Sequence, residues 1–450
     1  MRSRGAGAGR SCRPRLEGVE TVCRRGPSGR PAICPADRGR GRIASRARSR
    51  LRIRFAEAPR ILHAMKDDHP ERRRLAARPF RRIAFTIRKA AMPSSSQPAP
   101  TSSQPMTARL DLFRDAFDLP AAACAVFDAR GEVVTAVRGI RRLGGTAATI
   151  EDLWHYGSIG KSMTSLMIAR LVEAGALRWD MTVGEGLAAM PDARASALQN
   201  VTLLDLLAHR AGLPADPSRP GLVRYLLLGG DPGRASARLL GSALRAPRPQ
   251  RDGDFQYSNL GYGLAGAIAM AATGENYRTL MRRYVLDPLE LRGAGFDRPP
   301  QDGSQPVEHR HALWGEKWVA LKPGKRAVDD LDIVRPSGDV HGRIADLARY
   351  GAAHLRLLAD PAVQAGVLGT LYRPVGSGPE PGVDWNYALG WCVERPTDGR
   401  LLLWHAGSTG SCFAYLALDP AGSCGFAFAT NAFSPAWDEG FMTQLRAMWL

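Results

Sequence analysis

The chain has 450 residues, a formal net charge of +19, and a hydrophobic fraction of 44%. The charge is confined to one segment: residues 1–100 carry 24 Arg, 2 Lys and 7 acidic residues, and the rest of the chain is electrically balanced. Nucleic-acid binding by the folded part therefore has no basis in charge. No run of about 18 apolar residues is present to span a membrane. The seven cysteines include no C-x-x-C pair, which leaves zinc and thioredoxin-like chemistry without support.

Residues 1–91 are rich in Arg, Gly, Ala and Pro and lack periodicity, so they read as a disordered extension. The preferred reading is upstream sequence ahead of a later start, with Met65, Met92 and Met106 as alternatives. A basic nucleic-acid-binding arm and an organelle transit peptide compete with it. No secretory signal is read, because Arg88 and Lys89 interrupt the nearest apolar run. The odd set of cysteines fits a reducing compartment, so a cytoplasmic location is expected. Residues 93–106 form a Ser/Pro linker, giving an extension over 1–107 and a folded domain over 108–450.

The domain opens with a short helix near 108–117. AAACAVFD and EVVTAVRG then form a hairpin around Ala129-Arg130-Gly131. Met163, Leu166, Met167, Leu171 and Val172 give helical spacing over 160–174, with Gly175 as the stop. Further helices are expected at 202–209, 260–272 (closed by Gly274), 344–358 and 438–449. LLLWHAG, SCFAYLALD and CGFAFATN read as successive strands. This order implies an α/β (α+β) domain. Both chain ends build an antiparallel sheet flanked by helices, and a mostly helical subdomain is inserted between them.

Three motifs carry chemistry. Ser158-Ile159-Gly160-Lys161 stands at a helix start, where residues three apart share a face. A lysine amine can then reach the serine oxygen, and serine is a poor nucleophile until a neighbouring base takes its proton. A dry pocket disfavours the charged lysine and makes it such a base. With only six lysines in the chain, about 0.4 chance S-x-x-K matches are expected, and one occurs. The bland alternative is that Ser158 simply caps the helix. Tyr257-Ser258-Asn259 follows the polar turn RDGD and precedes a Gly/Ala-rich helix. Tyrosine beside lysine can act in proton transfer, and Asn259 can orient the lysine and a substrate carbonyl; the alternative is a core tyrosine and an N-cap. His405-Ala406-Gly407 ends a strand. Gly407 permits close approach to a substrate, and the N–H of Ser408 can pair with that of Ser158 as an oxyanion hole. The alternative for His405 is a satisfied core histidine.

The order and spacing of these motifs resemble the β-lactamase-related serine hydrolases: class C β-lactamases, D-alanyl-D-alanine carboxypeptidases and esterases of the same fold. S-x-x-K marks penicillin-binding enzymes. The similarity extends to YGSIGKSMTSLMIARLVEAGAL, VTLLDLLAHRAGLP, FQYSNLGYGLAGAIAMAATG, VLDPLELRGAGF, PSGDVHGRIADLARYGAAHL, YALGW and LLLWHAGSTGSCFAYLALDP, and covers about 108–450. It implies the β-lactamase/transpeptidase-like fold, with Ser158 acylated, Lys161 relaying the proton and Tyr257 as general base. It further implies that Asn259 positions substrate and that the N–H groups of Ser158 and Ser408 hold the oxyanion. Which of Lys161 and Tyr257 takes the first proton stays open. No cofactor or metal is implied.

The third motif departs from the Lys-Thr-Gly usual in β-lactamases. Histidine is mostly neutral near pH 7, and Ala406 lacks a hydroxyl for a substrate carboxylate. The expected activity is therefore acyl-enzyme hydrolysis of a small ester, amide or D-amino-acid peptide. The alternatives are a non-catalytic binding or self-assembling protein of this fold, or a true β-lactamase. Arg335 or Arg343 is a candidate to replace the lost charge, against a solvated surface arginine as the plain alternative. An α/β-hydrolase elbow at Ala406-Gly407-Ser408-Thr409-Gly410 lacks its first glycine and precedes a strand. His309-Arg310-His311 and Asp329-Asp330 read as solvated loop residues rather than metal ligands.

Overall fold

The structure, a computed structural model, describes residues 105–217, 219–246, 254–311, 317–322, 331–376, 385–395, 399–434, 437 and 439–449. The expectations for the N-terminal extension fall outside these residues.

Helix α1 (Met106–Ala116) leads into the hairpin β1 (Ala121–Asp128) and β2 (Val133–Gly139). Helix α2 (Gly160–Glu173) follows, then the helical insert with α3 (Arg219–Leu228), α4 (Pro232–Arg245) and α5 (Asn259–Thr273). After α6 (Ile344–Ala359) come strands β3 (Trp385–Tyr387), β4 (Cys392–Glu394), β5 (Leu402–Ser408), β6 (Phe413–Asp419) and β7 (Cys424–Thr430), and α7 (Glu439–Ala447) closes the domain. The seven strands form one antiparallel sheet in the order β2-β1-β7-β6-β5-β4-β3. The expected joining of both chain ends is the β1–β7 ladder, in register at Ala123 with Ala429 and Cys124 with Phe428.

Period-2 alternation decides which face each strand residue serves. Ala121, Ala123, Ala125 and Phe127 of β1, Leu416 and Leu418 of β6, and Ala427 and Ala429 of β7 enter the inner core with α2 and α6. Ala122, Cys124, Phe413, Tyr415, Phe426 and Phe428 face the other way, packing on Leu110 and Phe113 of α1 and Phe441 and Leu445 of α7. On β5, His405 pairs with Leu416 and Gly407 with Ala414. Residues paired across a ladder share a face, so the motif HAG aims His405 inward.

The helices end where local chemistry stops them. Thr202 and Asp205 form a capping box ahead of Leu203–Leu207. Ser258 caps α5 by accepting from Gly261 N, and left-handed Gly274 ends that helix. Helices α3 and α4 were not anticipated from the sequence. Among the described residues, no helix is long and apolar enough to cross a membrane.

One contact fixes β5 against the start of α2. A Cβ on Gly407 would lie 2.0 Å from Tyr156 O and 2.6 Å from Ser158 N, and one on Gly157 would lie 2.5 Å from Ser408 N. Both neighbours are backbone and cannot swing aside. Gly157 also has φ +53°, which disfavours a side chain. Gly407→Ala is expected to lower stability to urea by about 1–3 kcal/mol, as overpacking does. Unchanged unfolding would mean that β5 and the Gly157 turn separate freely.

Candidate active site

Ser158 lies in the single turn Gly157–Ile159 that runs directly into α2, and Lys161 lies one turn further on. The side chain of Lys161 is fully buried. Its Nζ is 3.1 Å from Ser158 Oγ, 2.6 Å from Asn259 Oδ1 and 2.7 Å from the carbonyl oxygen of Ser337. An ammonium has three N–H donors and an amine has two plus a lone pair. Asn259 Oδ1 and Ser337 O can only accept, so they take two N–H bonds, and the third direction faces the Ser158 hydroxyl. No carboxylate is in ion-pair contact with this amine among the described residues. Retaining a charge there costs several kcal/mol in desolvation, with little to offset it. Burial accordingly holds Lys161 well below the usual lysine range, with Asp216 opposing more weakly. Burial favours the neutral amine, the form whose lone pair can take the serine proton.

Tyr257 stands beside the same pair: its ring centroid is 4.7 Å from Lys161 Nζ, and its phenol interacts with Ser158. Burial raises the Tyr257 phenol above its ordinary value, more than the bond to Ser158 lowers it. Burial thus favours amine and phenol over ammonium and phenolate.

Residues 254–258, which carry Tyr257, have no regular secondary structure, so something else must hold them. His209 does so. Its carbonyl accepts from Gln256 N at 2.8 Å and its Nδ1 accepts from Ser258 N at 3.0 Å. Its ring lies against that of Tyr257, with centroids 4.3 Å apart. Accepting at Nδ1 requires the neutral ring, and burial drives the His209 pKa well down, with Lys161 adding to the effect.

The structure brings Ser158, Lys161, Tyr257, Asn259, His405, Gly407 and Ser408 together. Asn259 is the first residue of α5 rather than its cap. Its Oδ1 takes the Lys161 bond, and its Nδ2 donates to Asp216 Oδ1 at 2.8 Å. His405 is buried, with Nδ1 donating to Ala406 O at 2.6 Å and Nε2 accepting from Tyr387 at 3.2 Å. Its pKa is pushed down to about 3 by burial and by nearby Lys161. Ser408 uses its side chain to close a turn, bonding Cys412 O at 2.7 Å. Its backbone is pressed against Gly157, so the amides of Ser158 and Ser408 flank the Gly157–Gly407 contact.

Reading the sequence missed His209, Asp216, Ser337 and Tyr387. His209 and Asp216 lie within or beside the quoted stretch VTLLDLLAHRAGLP. Ser337 acts through a carbonyl, and no side-chain motif reports that.

Two expectations are corrected. Arg335 is neither a substrate-binding charge nor a solvated arginine. It is buried and bonds Asp297 at 2.8 Å, Asp332 at 3.2 Å and Asp339. Arg343 pairs with Glu151 at 2.9 Å at the start of α6. His309 is not a solvated loop residue: it is buried on the short strand His309–His311, with Nδ1 3.2 Å from Asn431 O. Asp329 and Asp330 lie outside the described residues.

A serine-and-lysine turn, a tyrosine–asparagine helix start and a glycine-bearing strand, set on this sheet, are the arrangement of the β-lactamase/transpeptidase-like fold. The Beta-lactamase family profile matches residues 110–447, and the chain belongs to that family. It is 26% identical over 326 residues to "Penicillin-binding protein 4" of Amycolatopsis lactamdurans, covering 69% of this chain and 81% of that protein. The D-stereospecific amidohydrolase from Streptomyces sp. superposes with a TM-score of 0.60 at 19% identity, over 77% of this chain and 99% of that one. The class C β-lactamase from Rhodobacter sphaeroides does so at 0.59 and 21%, over 76% and 97%.

The two site histidines set an acid limit on stability. Unfolded, each binds a proton near pH 6.5, whereas His405 in the fold binds one only near pH 3. Stability is thus complete above about pH 6.5 and falls as pH drops towards 3, because unfolding takes up protons. His405→Gln, measured by urea unfolding, should lose less stability than the wild type between about pH 7 and pH 5, since its unfolding takes up about one proton fewer. Identical slopes would show that His405 titrates alike in both states.

Proposed function

We propose that this protein is a serine hydrolase that forms an acyl-enzyme on Ser158 and hydrolyses a small ester, amide or D-amino-acid peptide. The observation that carries the reading is the buried Lys161 amine, with two directions occupied by pure acceptors and the third by Ser158 Oγ.

Lys161 takes the Ser158 proton as Oγ bonds to the substrate carbonyl carbon. The carbonyl oxygen gains negative charge between the N–H groups of Ser158 and Ser408, where fixed donors and the start of α2 favour it. Collapse breaks the bond to the leaving group, which receives a proton from the Tyr257 phenol; the Lys161 ammonium beside that ring then gives its proton to the phenolate. Water then attacks the acyl-enzyme, its proton passing to the same pair, and the acid and free Ser158 are released. Giving Lys161 the first proton and Tyr257 the donor role follows from burial, which favours the uncharged form of each.

The names of the relatives, a penicillin-binding protein and a D-stereospecific amidohydrolase, agree with acyl transfer as the reaction class. His405, neutral and bonded on both nitrogens, offers no charge to an anionic substrate, so esters are favoured over β-lactams.

A fluorophosphonate probe is expected to label the wild type and not Ser158→Ala. Lys161→Met should lower kcat/KM on p-nitrophenyl butyrate by about 10³-fold or more. Tyr257→Phe should change that value by only a few-fold, because p-nitrophenolate leaves without a proton. The same substitution should slow an alkyl ester about 100-fold. Equal losses on both esters would make Tyr257 the acylation base instead, and equal labelling of wild type and Ser158→Ala would end the proposal. Nitrocefin should be turned over less efficiently than the butyrate ester.

A further inference from the structure

The site holds one residue whose chemistry the reaction does not use. Asp216 is exposed, yet it is fixed in place. Its Oδ1 accepts from Asn259 Nδ2 at 2.8 Å, and the other end of that amide holds Lys161. The segment around it is tied to the start of α5: Ala215 O accepts from Asn259 N at 2.7 Å, and Pro214 O accepts from Ser258 Oγ at 2.7 Å. A single amide therefore links the carboxylate to the amine beside the nucleophile, and the field of Asp216 reaches both Lys161 and Tyr257.

Among the described residues Asp216 forms no ion pair, and Arg335 and Arg343 are engaged with other carboxylates. Burial disfavours the charged forms of Lys161, His209 and His405, and Asn259 carries no charge. Among the described residues bonded around Ser158 and Lys161, Asp216 is the exposed carboxylate. It is open to solvent and held at a set distance from the reacting oxygen. Such a group attracts a cationic substrate part and repels an anionic one.

We propose that Asp216 determines specificity at the Ser158 site, selecting esters or amides that carry an ammonium group close to the scissile carbonyl and rejecting those with a carboxylate there. This rests on the acyl-enzyme reading above and names its substrate class. The ammonium pairs with the Asp216 oxygen not engaged by Asn259, while the Asn259 bond stops the carboxylate from swinging away.

Three fluorophosphonates with the same reactive head and short tails ending in a methyl, an ammonium or a carboxylate separate the two claims. In each, the Ser158 oxygen bonds to phosphorus and fluoride leaves, so labelling rate reports access to the nucleophile. The ammonium probe is expected to label the wild type at least about fivefold faster than the methyl probe, and the carboxylate probe correspondingly slower. Added salt should compress these ratios. Asp216→Asn keeps an oxygen for Asn259 and should bring the three rates together. Equal rates with all three probes in the wild type overturn the Asp216 assignment while leaving Ser158 as nucleophile. Ratios unchanged in Asp216→Asn overturn it as well. No Ser158-dependent labelling by any probe ends the hydrolase reading itself.

Discussion

The buried amine of Lys161 organises this molecule. An uncompensated ammonium in that position is expensive, and an amine is tolerable only if its two N–H groups find acceptors. The fold supplies both from distant parts of the chain. Asn259 Oδ1 comes from the start of α5, and Ser337 O comes from the turn before the strand Val340–Gly342. The Arg335 cluster with Asp297, Asp332 and Asp339 holds that turn. Buried charges of this kind contribute little net stability. Their effect here is positional, since they fix the carbonyl two residues on that receives the Lys161 N–H.

The sheet does the rest by alternation. Leu403, His405 and Gly407 share the inner face of β5, so a strand that builds the core also lays its glycine against Gly157 and its histidine among the tyrosines. That histidine is fully satisfied by Ala406 O and Tyr387. The plain expectation of a satisfied core histidine describes these contacts, and burial of the ring disfavours its charged form. The negative charge of Asp216 is left to set the sign of the entrance.

Much of this was legible in the sequence because it is local or periodic. The S-x-x-K spacing fixes the Ser158–Lys161 relation within one helical turn, and alternation in AAACAVFD and SCFAYLALD assigns residues to faces. Gly274 stops α5 where a left-handed residue is needed. What escaped acts through backbone or through tertiary contact. Ser337 contributes a carbonyl, His209 clamps the segment around Tyr257, and Arg335 looked like any loop arginine until its three acidic partners, 3, 4 and 38 residues away, closed around it. Helix α4 did carry a readable signal in Asp231-Pro232, an N-cap followed by proline at the first helical position.

The account is tested most directly by the protonation of Lys161. The chain has six lysines, few enough to follow individually by NMR after isotopic labelling at Cε, with Lys161→Met identifying the signal of interest. The predicted result is one lysine that remains an amine well below the ordinary lysine pKa of about 10.4 and whose signal is missing from Lys161→Met. A Lys161 that titrates with ordinary lysines would contradict the account, for the serine would then face an ammonium with no lone pair to take its proton.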